Sequence, residues 1–182
     1  MSGSVVIRAY RSGDRVSDIT AMLHESYAEL ARQGLKFLAT HQDDATTLRR
    51  LADGHAFVAE DGGSIIGTIT LYGPDPQSAC EWYRRDGVYH FGQFAVRPDR
   101  QREGIGHRLL RHIEEQAVSR AATELSLDTA ETAEHLCRWY ARLGFRFIQH
   151  VSWEVTNYRS VILSKSLNQT LDSNSDRPTT PA

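Results

Sequence analysis

The segment Val88–Leu110, VYHFGQFAVRPDRQREGIGHRLL, constrains the fold more than any other stretch of the chain. It opens on VYHFGQFAV, a run of aromatic and β-branched residues that reads as a strand. Pro98 ends that strand, because a proline has no N–H to give to a ladder. From Ile105 the apolar positions are Ile105, Leu109, Leu110, Ile113 and Ala117, the spacing of one helix face. Between strand and helix lies the pattern Gln101-x-x-Gly104-x-Gly106, with Arg97, Arg100, Arg102 and Arg108 around it. A helix start presents unpaired backbone N–H groups and the positive end of its dipole. Glycines let a bulky anion come close to those groups, and the arginines are expected to add positive potential. The mechanics suit a diphosphate. On the motif alone, a turn with a solvated basic face explains the residues equally well. A P-loop would need Gly-Lys-Ser/Thr, which is missing, and a dinucleotide fingerprint would need a glycine where Leu109 stands.

The flanking chain supplies more strands and helices. SVVIRAY is a first strand, and Asp14 is placed to cap the helix marked by Ile19, Met22, Leu23, Tyr27 and Leu30 and closed by Gly34. LKFLATHQDDATTLRRLADG holds a loop and a short helix, capped near Asp43 or Asp44 and stopped by Gly54. HAFVAEDGGSIIGTITLYGP is a hairpin about Asp61-Gly62-Gly63, a composition that supplies the positive φ values of a tight turn. DPQSACEWYRRDG reads as an insertion with a short helix, and ELSLD as a strand. Ala133, Leu136, Cys137, Tyr140 and Ala141 mark another helix, with Gly144 at its C′ position. FRFIQHVSWEV and YRSVILSKSL are two last strands. Residues 1–167 thus form one α/β or α+β domain, and the polar tail 168–182 reads as disordered.

A chain of 182 residues with formal net charge −2 offers no global attraction for nucleic acid, so any basic site is local. No apolar run is long enough to span a membrane, and the N-terminus lacks a secretory pattern. The two cysteines, Cys80 and Cys137, make neither a disulfide framework nor a zinc site, and no metal pattern is recognisable. A cytoplasmic, reduced protein is expected.

FAVRPDRQREGIGHRLL resembles the strand, Q/R-x-x-G-x-G/A turn and helix of the GNAT superfamily of N-acyltransferases. CRWYARLGFR resembles the same family's later helix with its Tyr-x-x-x-Gly-Phe ending, and FVAEDGGSIIGTITLY sits where the family has its second and third strands. The likeness runs from Val5 to Leu167. It implies a central mixed, mostly antiparallel twisted sheet of about six to seven strands, flanked by about four helices. It also implies an N-acetyltransferase that uses acetyl-CoA as donor and no metal. The turn Gln101, Arg102, Glu103, Gly104, Ile105, Gly106, His107 would hold the CoA diphosphate. The backbone of Phe94, Ala95 and Val96 would run along the pantetheine arm, one N–H polarising the thioester carbonyl.

Tyr140 matches the family tyrosine that protonates the departing thiolate, and Asp128 stands where some relatives have the base that takes the amine's proton. Read without the family, Tyr140 is a packed helical residue and Asp128 a turn or helix cap. Many relatives carry an Asn seven residues before the tyrosine; Ala133 stands there. Cys137 reads as core and Cys80 has no His partner near it in sequence, so direct attack in a ternary complex is expected. The acceptor pocket would draw on Tyr27, Phe37, His41, Trp82, His90 and Gln93, and would take a small-molecule amine or a peptide N-terminus. A non-catalytic acyl-CoA sensor stays open as the alternative, as does the choice between monomer and homodimer.

Overall fold

A computed structural model describes residues 4–167, so the expected tail 168–182 lies outside the described residues. The elements run β1 (Val6–Ala9), α1 (Val16–Arg32), α2 (Asp44–Ala52), β2 (His55–Asp61), β3 (Ser64–Tyr72), β4 (Val88–Val96), α3 (Ile105–Val118), β5 (Glu124–Ala130), α4 (Glu134–Arg142), β6 (Arg146–Ser152) and β7 (Arg159–Ser166). The strands form one seven-stranded sheet in the order β1-β2-β3-β4-β5-β7-β6. Every neighbouring pair is antiparallel except β4 and β5. That exception follows from α3, since a parallel pair needs a crossover long enough to return the chain to its starting end. The mixed, mostly antiparallel sheet with four α-helices is the architecture expected from the sequence.

Both faces of the sheet are covered, and the period-two alternation of strands sorts residues between them. Along β2, Phe57 and Ala59 join the core under α3 with Ile69, Leu109 and Ile113. Ala56 and Val58 join the opposite core with Ile19, Met22 and Leu23 of α1 and Leu51 of α2. Burying each large aliphatic side chain contributes about 1.5–3 kcal/mol, so α1 and α3 are clamped to the sheet by the stripes their sequences carry.

Local chemistry departs from the sequence reading in three places. Asp14 does not cap α1. Its carboxylate takes two hydrogen bonds from Arg8 and one from the Arg11 N–H, and the helix starts with no side-chain cap. Asp43 does cap α2, accepting from the Thr46 N–H at 2.8 Å. The β2–β3 turn proper is Gly62-Gly63, with φ of 56° and 82°, while Asp61 closes β2 and receives Arg100. The strand expected over FRFIQHVSWEV stops at Ser152, and the Trp153 carbonyl turns back to accept from the Thr156 N–H.

The feature that makes a site is a seam. β4 and β5 pair only at Val88↔Glu124, Tyr89↔Leu125 and His90↔Ser126, although both strands continue well beyond. Gln93 has φ of 48°, and the β3–β4 register shifts across the same stretch. Such a bulge bends the strand that carries it. β4 therefore leaves β5, and the sheet opens between Gly92–Val96 and Leu127–Ala130.

Candidate active site

A cavity of about 660 Å³ fills this opening. Its walls combine Gly92, Gln93 and Phe94 of β4, Asp128 and Thr129 of β5, and Gln101, Arg102, Gly104, Gly106 and His107 of the turn before α3. Ser26, Tyr27 and Leu30 of α1, Phe37, Arg50 of α2, Leu136, Trp139 and Tyr140 of α4, and Trp153 and Tyr158 close it. The turn, Asp128, Tyr140, Tyr27, Phe37, Gln93 and Phe94, spread widely in sequence, share one cleft.

The turn is built to leave backbone donors free. Gly104 is the residue before α3 and has φ of 79°, and no side chain caps the helix. The first helical hydrogen bond runs from the Arg108 N–H to the Gly104 carbonyl, so the N–H groups of Ile105, Gly106 and His107 precede it. A Cβ on Gly106 would meet the Phe94 ring at 3.5 Å, an ordinary contact. Replacing Gly104 by alanine forces an L-residue into the left-handed region at about 1 kcal/mol or more. We expect Gly104→Ala to lower the thermal midpoint measurably and Gly106→Ala to leave it unchanged, as read by thermal denaturation without ligand.

The arginines behave differently from the expectation. Arg97 is engaged by Asp99, Arg100 is shared between Glu103 and Asp61, and Arg108 donates to the Val5 carbonyl. Of the four only Arg102, itself at φ 67°, lines the cleft. At the turn itself, positive character comes from backbone dipoles and the Arg102 guanidinium. Glu103 is exposed and tied to Arg100, and the Ile105 side chain is buried beneath α3, so neither lines the cavity. Gln101 Nε2 donates to the Val96 carbonyl and holds the turn to β4.

Tyr140 is buried among Phe91, Trp139 and Phe145 and makes no hydrogen bond through its hydroxyl. Burial pushes its phenol well above the usual tyrosine range, so it is a protonated donor at neutral pH. Asp128 is not a cap; it lies within β5. It opens to the cavity and is otherwise surrounded by protein. Trp153 Nε1 and Ser160 Oγ both donate to Oδ2, at 3.0 and 3.1 Å, which leaves Oδ1 free. Burial raises its carboxyl above the usual range; the two hydrogen bonds and Arg50 pull against that rise. Tyr27, pushed up to about 12 by burial, donates to the Phe94 carbonyl at 3.0 Å. The Val96 carbonyl accepts from Ser26 Oγ as well as Gln101, so its capacity is filled.

Other expected residues lie elsewhere. Ala95 packs into the core under α1, and the Val96 side chain packs against the core under α3. His41 is exposed and bonded to Thr40 Oγ1. Trp82 sits in the insertion, with the Arg85 guanidinium 4.7 Å from its ring centre. His90 is stacked on Tyr83 with ring centres 4.2 Å apart, and burial lowers its pKa to about 4. These three do not line the cavity, and a neutral, ring-stacked His90 is a poor proton acceptor. Cys80 is buried and Cys137 half-buried; both are free thiols raised above the usual range by burial, which disfavours a thiolate nucleophile.

Sequence reading missed Arg50, Trp139, Trp153 and Tyr158. Trp139 adjoins the tyrosine motif and was within reach. The other three come from the short helix α2 and from the β6–β7 loop, where the sequence pattern predicts strand.

The chain matches the acetyltransferase (GNAT) family over residues 19–145. It is 31% identical over 140 residues to S-(2-succino)cysteine N-acetyltransferase of Bacillus subtilis (strain 168), a stretch covering 74% of this chain and 79% of that one. Its fold is similar to that of the ribosomal-protein-S18-alanine N-acetyltransferase of Escherichia coli, with TM-score 0.68, 15% identity and 93% and 98% of the two chains covered. It is also similar to a GNAT family acetyltransferase of Elizabethkingia anophelis solved with acetyl-CoA bound, with TM-score 0.60, 16% identity and 89% and 97% covered. The matched residues carry the uncapped turn, the seam and Tyr140 alike, and the chain belongs to the GNAT family as an acetyl-CoA-dependent N-acetyltransferase.

Proposed function

We propose that the protein acetylates the primary amine of a small molecule, an amino acid or close derivative, by direct attack on the thioester. The observation that carries this is the convergence in one cavity of three unsatisfied groups: the free N–H groups of the turn, the free Oδ1 of Asp128 and the unpartnered hydroxyl of Tyr140. A cavity of this size suits a small ligand. The Bacillus subtilis relative is named for an acceptor that is itself a cysteine derivative, which supports the same class.

In this reading the turn from Gln101 to His107 holds the diphosphate on its N–H groups, with Arg102 beside them. The exposed edge of β4 aligns the pantetheine arm, and one of its N–H groups polarises the acetyl carbonyl. Asp128 accepts a proton from the incoming ammonium, so that the neutral amine forms the C–N bond. As the C–S bond breaks, Tyr140 donates its proton to the departing sulfur, and the surplus proton on the newly bonded nitrogen restores the phenol. The burial that raises Asp128 makes it a stronger base than a solvated aspartate.

The test has two stages. Thermal stabilisation is measured with acetyl-CoA, NAD and ATP, and acetyl-CoA alone is expected to stabilise. Thiol release is then followed over S-(2-succino)cysteine, free amino acids, polyamines and a short peptide, and turnover is expected with the first two groups. Turnover on the peptide alone overturns the small-molecule reading. Stabilisation without turnover on any amine turns the assignment toward an acyl-CoA-binding module.

A further inference from the structure

Arg50 touches no reacting atom in the chemistry above, though its charge pulls the Asp128 carboxyl down, and its setting is that of a ligand-binding residue. It is half-buried, lines the cavity and makes no ion pair among the described residues. Its Nη1 donates to Gln42 Oε1 at 2.6 Å. Gln42 is buried, and its Nε2 is shared between Thr47 Oγ1 at 2.6 Å and Gln93 Oε1 at 2.8 Å. Thr20 Oγ1 donates to the same Thr47 hydroxyl at 2.9 Å. A chain of buried polar groups from α1, the loop before α2, α2 and β4 thus fixes the guanidinium by one edge. The other edge lies over β4, where a Cβ on Gly92 would come within 3.3 Å of Nη2. The absence of a side chain at Gly92 gives the guanidinium its place.

Beside it stands a second unsatisfied donor. Gln93 is 2% exposed and lines the cavity, and its Nε2 has no partner. Leaving a buried donor unpaired costs about 1–3 kcal/mol, and Arg50, whose charge acts on Asp128 with no ion pair between them, keeps one edge of its guanidinium without a partner among the described residues. Both are relieved by an anionic acceptor entering the cavity. Gly92 lies four residues along β4 from Val96, roughly 13 Å at strand rise, so Arg50 is well separated from the diphosphate turn. The planar fork of a guanidinium held by one edge matches a carboxylate.

We propose that Arg50, fixed by Gln42 and assisted by Gln93 Nε2, binds a carboxylate of the acceptor and selects amines that carry one. This rests on the small-molecule acceptor reading, with the ammonium at Asp128 and the carboxylate at Arg50. Arg50 is then the specificity-determining residue that separates amino acids from simple amines and from peptide interiors.

The test compares acids with their uncharged isosteres. Protein saturated with CoA is titrated calorimetrically with N-acetyl-L-methionine, N-acetyl-L-phenylalanine and N-acetyl-L-glutamine, each against its α-carboxamide. Wild type is expected to bind at least one acid about tenfold tighter than its amide. Arg50→Gln is expected to abolish that preference, and Arg50→Lys, which keeps the charge without the fork, to retain part of it. In turnover assays with the parent amino acids and amino-acid amides, run on the high-pH plateau above the Asp128 ionisation, the loss in Arg50→Gln should fall on KM and leave kcat within about threefold, while the rise of kcat with pH moves to higher pH. Retained stabilisation by acetyl-CoA shows that the variants are folded. Equal binding of acid and amide by wild type, no binding of any acid, or an undiminished preference in Arg50→Gln each overturns the proposal. If wild type discriminates acid from amide yet acetylates none of the amines, the Arg50 assignment stands and the acetylation reading falls.

Discussion

Tyr140→Phe is expected to lower kcat about 100-fold while leaving the KM for acetyl-CoA within about twofold, the size of effect typical for a lost general acid. The substitution removes one oxygen. The ring contacts with Phe91, Trp139 and Phe145 survive, and no hydrogen bond is broken. The thermal midpoint should therefore be unchanged, which separates a chemical role from a packing role. Because burial holds the phenol well above its ordinary value of 10.0, wild type should show no alkaline fall in rate below that pH. Steady-state kinetics with a thiol readout decides it: a Tyr140→Phe enzyme with wild-type kcat ends the role of Tyr140 as acid.

The second large effect is at Asp128, where activity and stability should move in opposite directions. Asp128→Asn is expected to lower kcat by about 100-fold or more and to erase the rise of rate with pH that ionisation of this carboxyl produces. The folded state raises the carboxyl above its ordinary 3.8. It therefore holds the proton more tightly than the unfolded chain, and wild-type stability falls as pH rises through the window between 3.8 and the raised value. Asparagine does not ionise, and its side-chain oxygen can still accept from Trp153 and Ser160. The variant should thus be more stable than wild type at neutral pH, with the difference shrinking as pH falls through that window and gone below it. Thermal melts at neutral and acid pH check this. A variant that loses both activity and stability would make Asp128 a structural anchor for Trp153 and Ser160.

The parts of the molecule written in local residue chemistry were the parts the sequence disclosed. Gly62-Gly63, the Pro98 stop, the Ile105 stripe and Gly144 at φ 90° each act within a few residues, and each element they bound was found. The turn and Tyr140 were legible because family motifs sit on them. Asp14 was misread because its partner, Arg8, lies on another element, and two guanidinium hydrogen bonds outweigh a cap. Arg50 was invisible for the same reason: LRRLADG reads only as the end of a short helix until tertiary structure lays Gln42 and Gly92 against it. On sequence alone His90 belongs to the acceptor pocket, and only tertiary structure stacks it on Tyr83, outside the cavity.

The three-pair ladder between β4 and β5 also has a mechanical meaning. Across this line the main chain offers little stiffness, so the gap between Gly92 and Asp128 is held by side chains on either side of it: Leu127, Ile113 and Phe145 above, Tyr83, Val88 and Ile162 below. Packing density makes such layers nearly incompressible. The compliance of the gap is thus a property of residues that do not line it. A methylene gained or lost in those layers acts as a shim under one jaw, altering the reach between amine and thioester without altering any group that performs the chemistry.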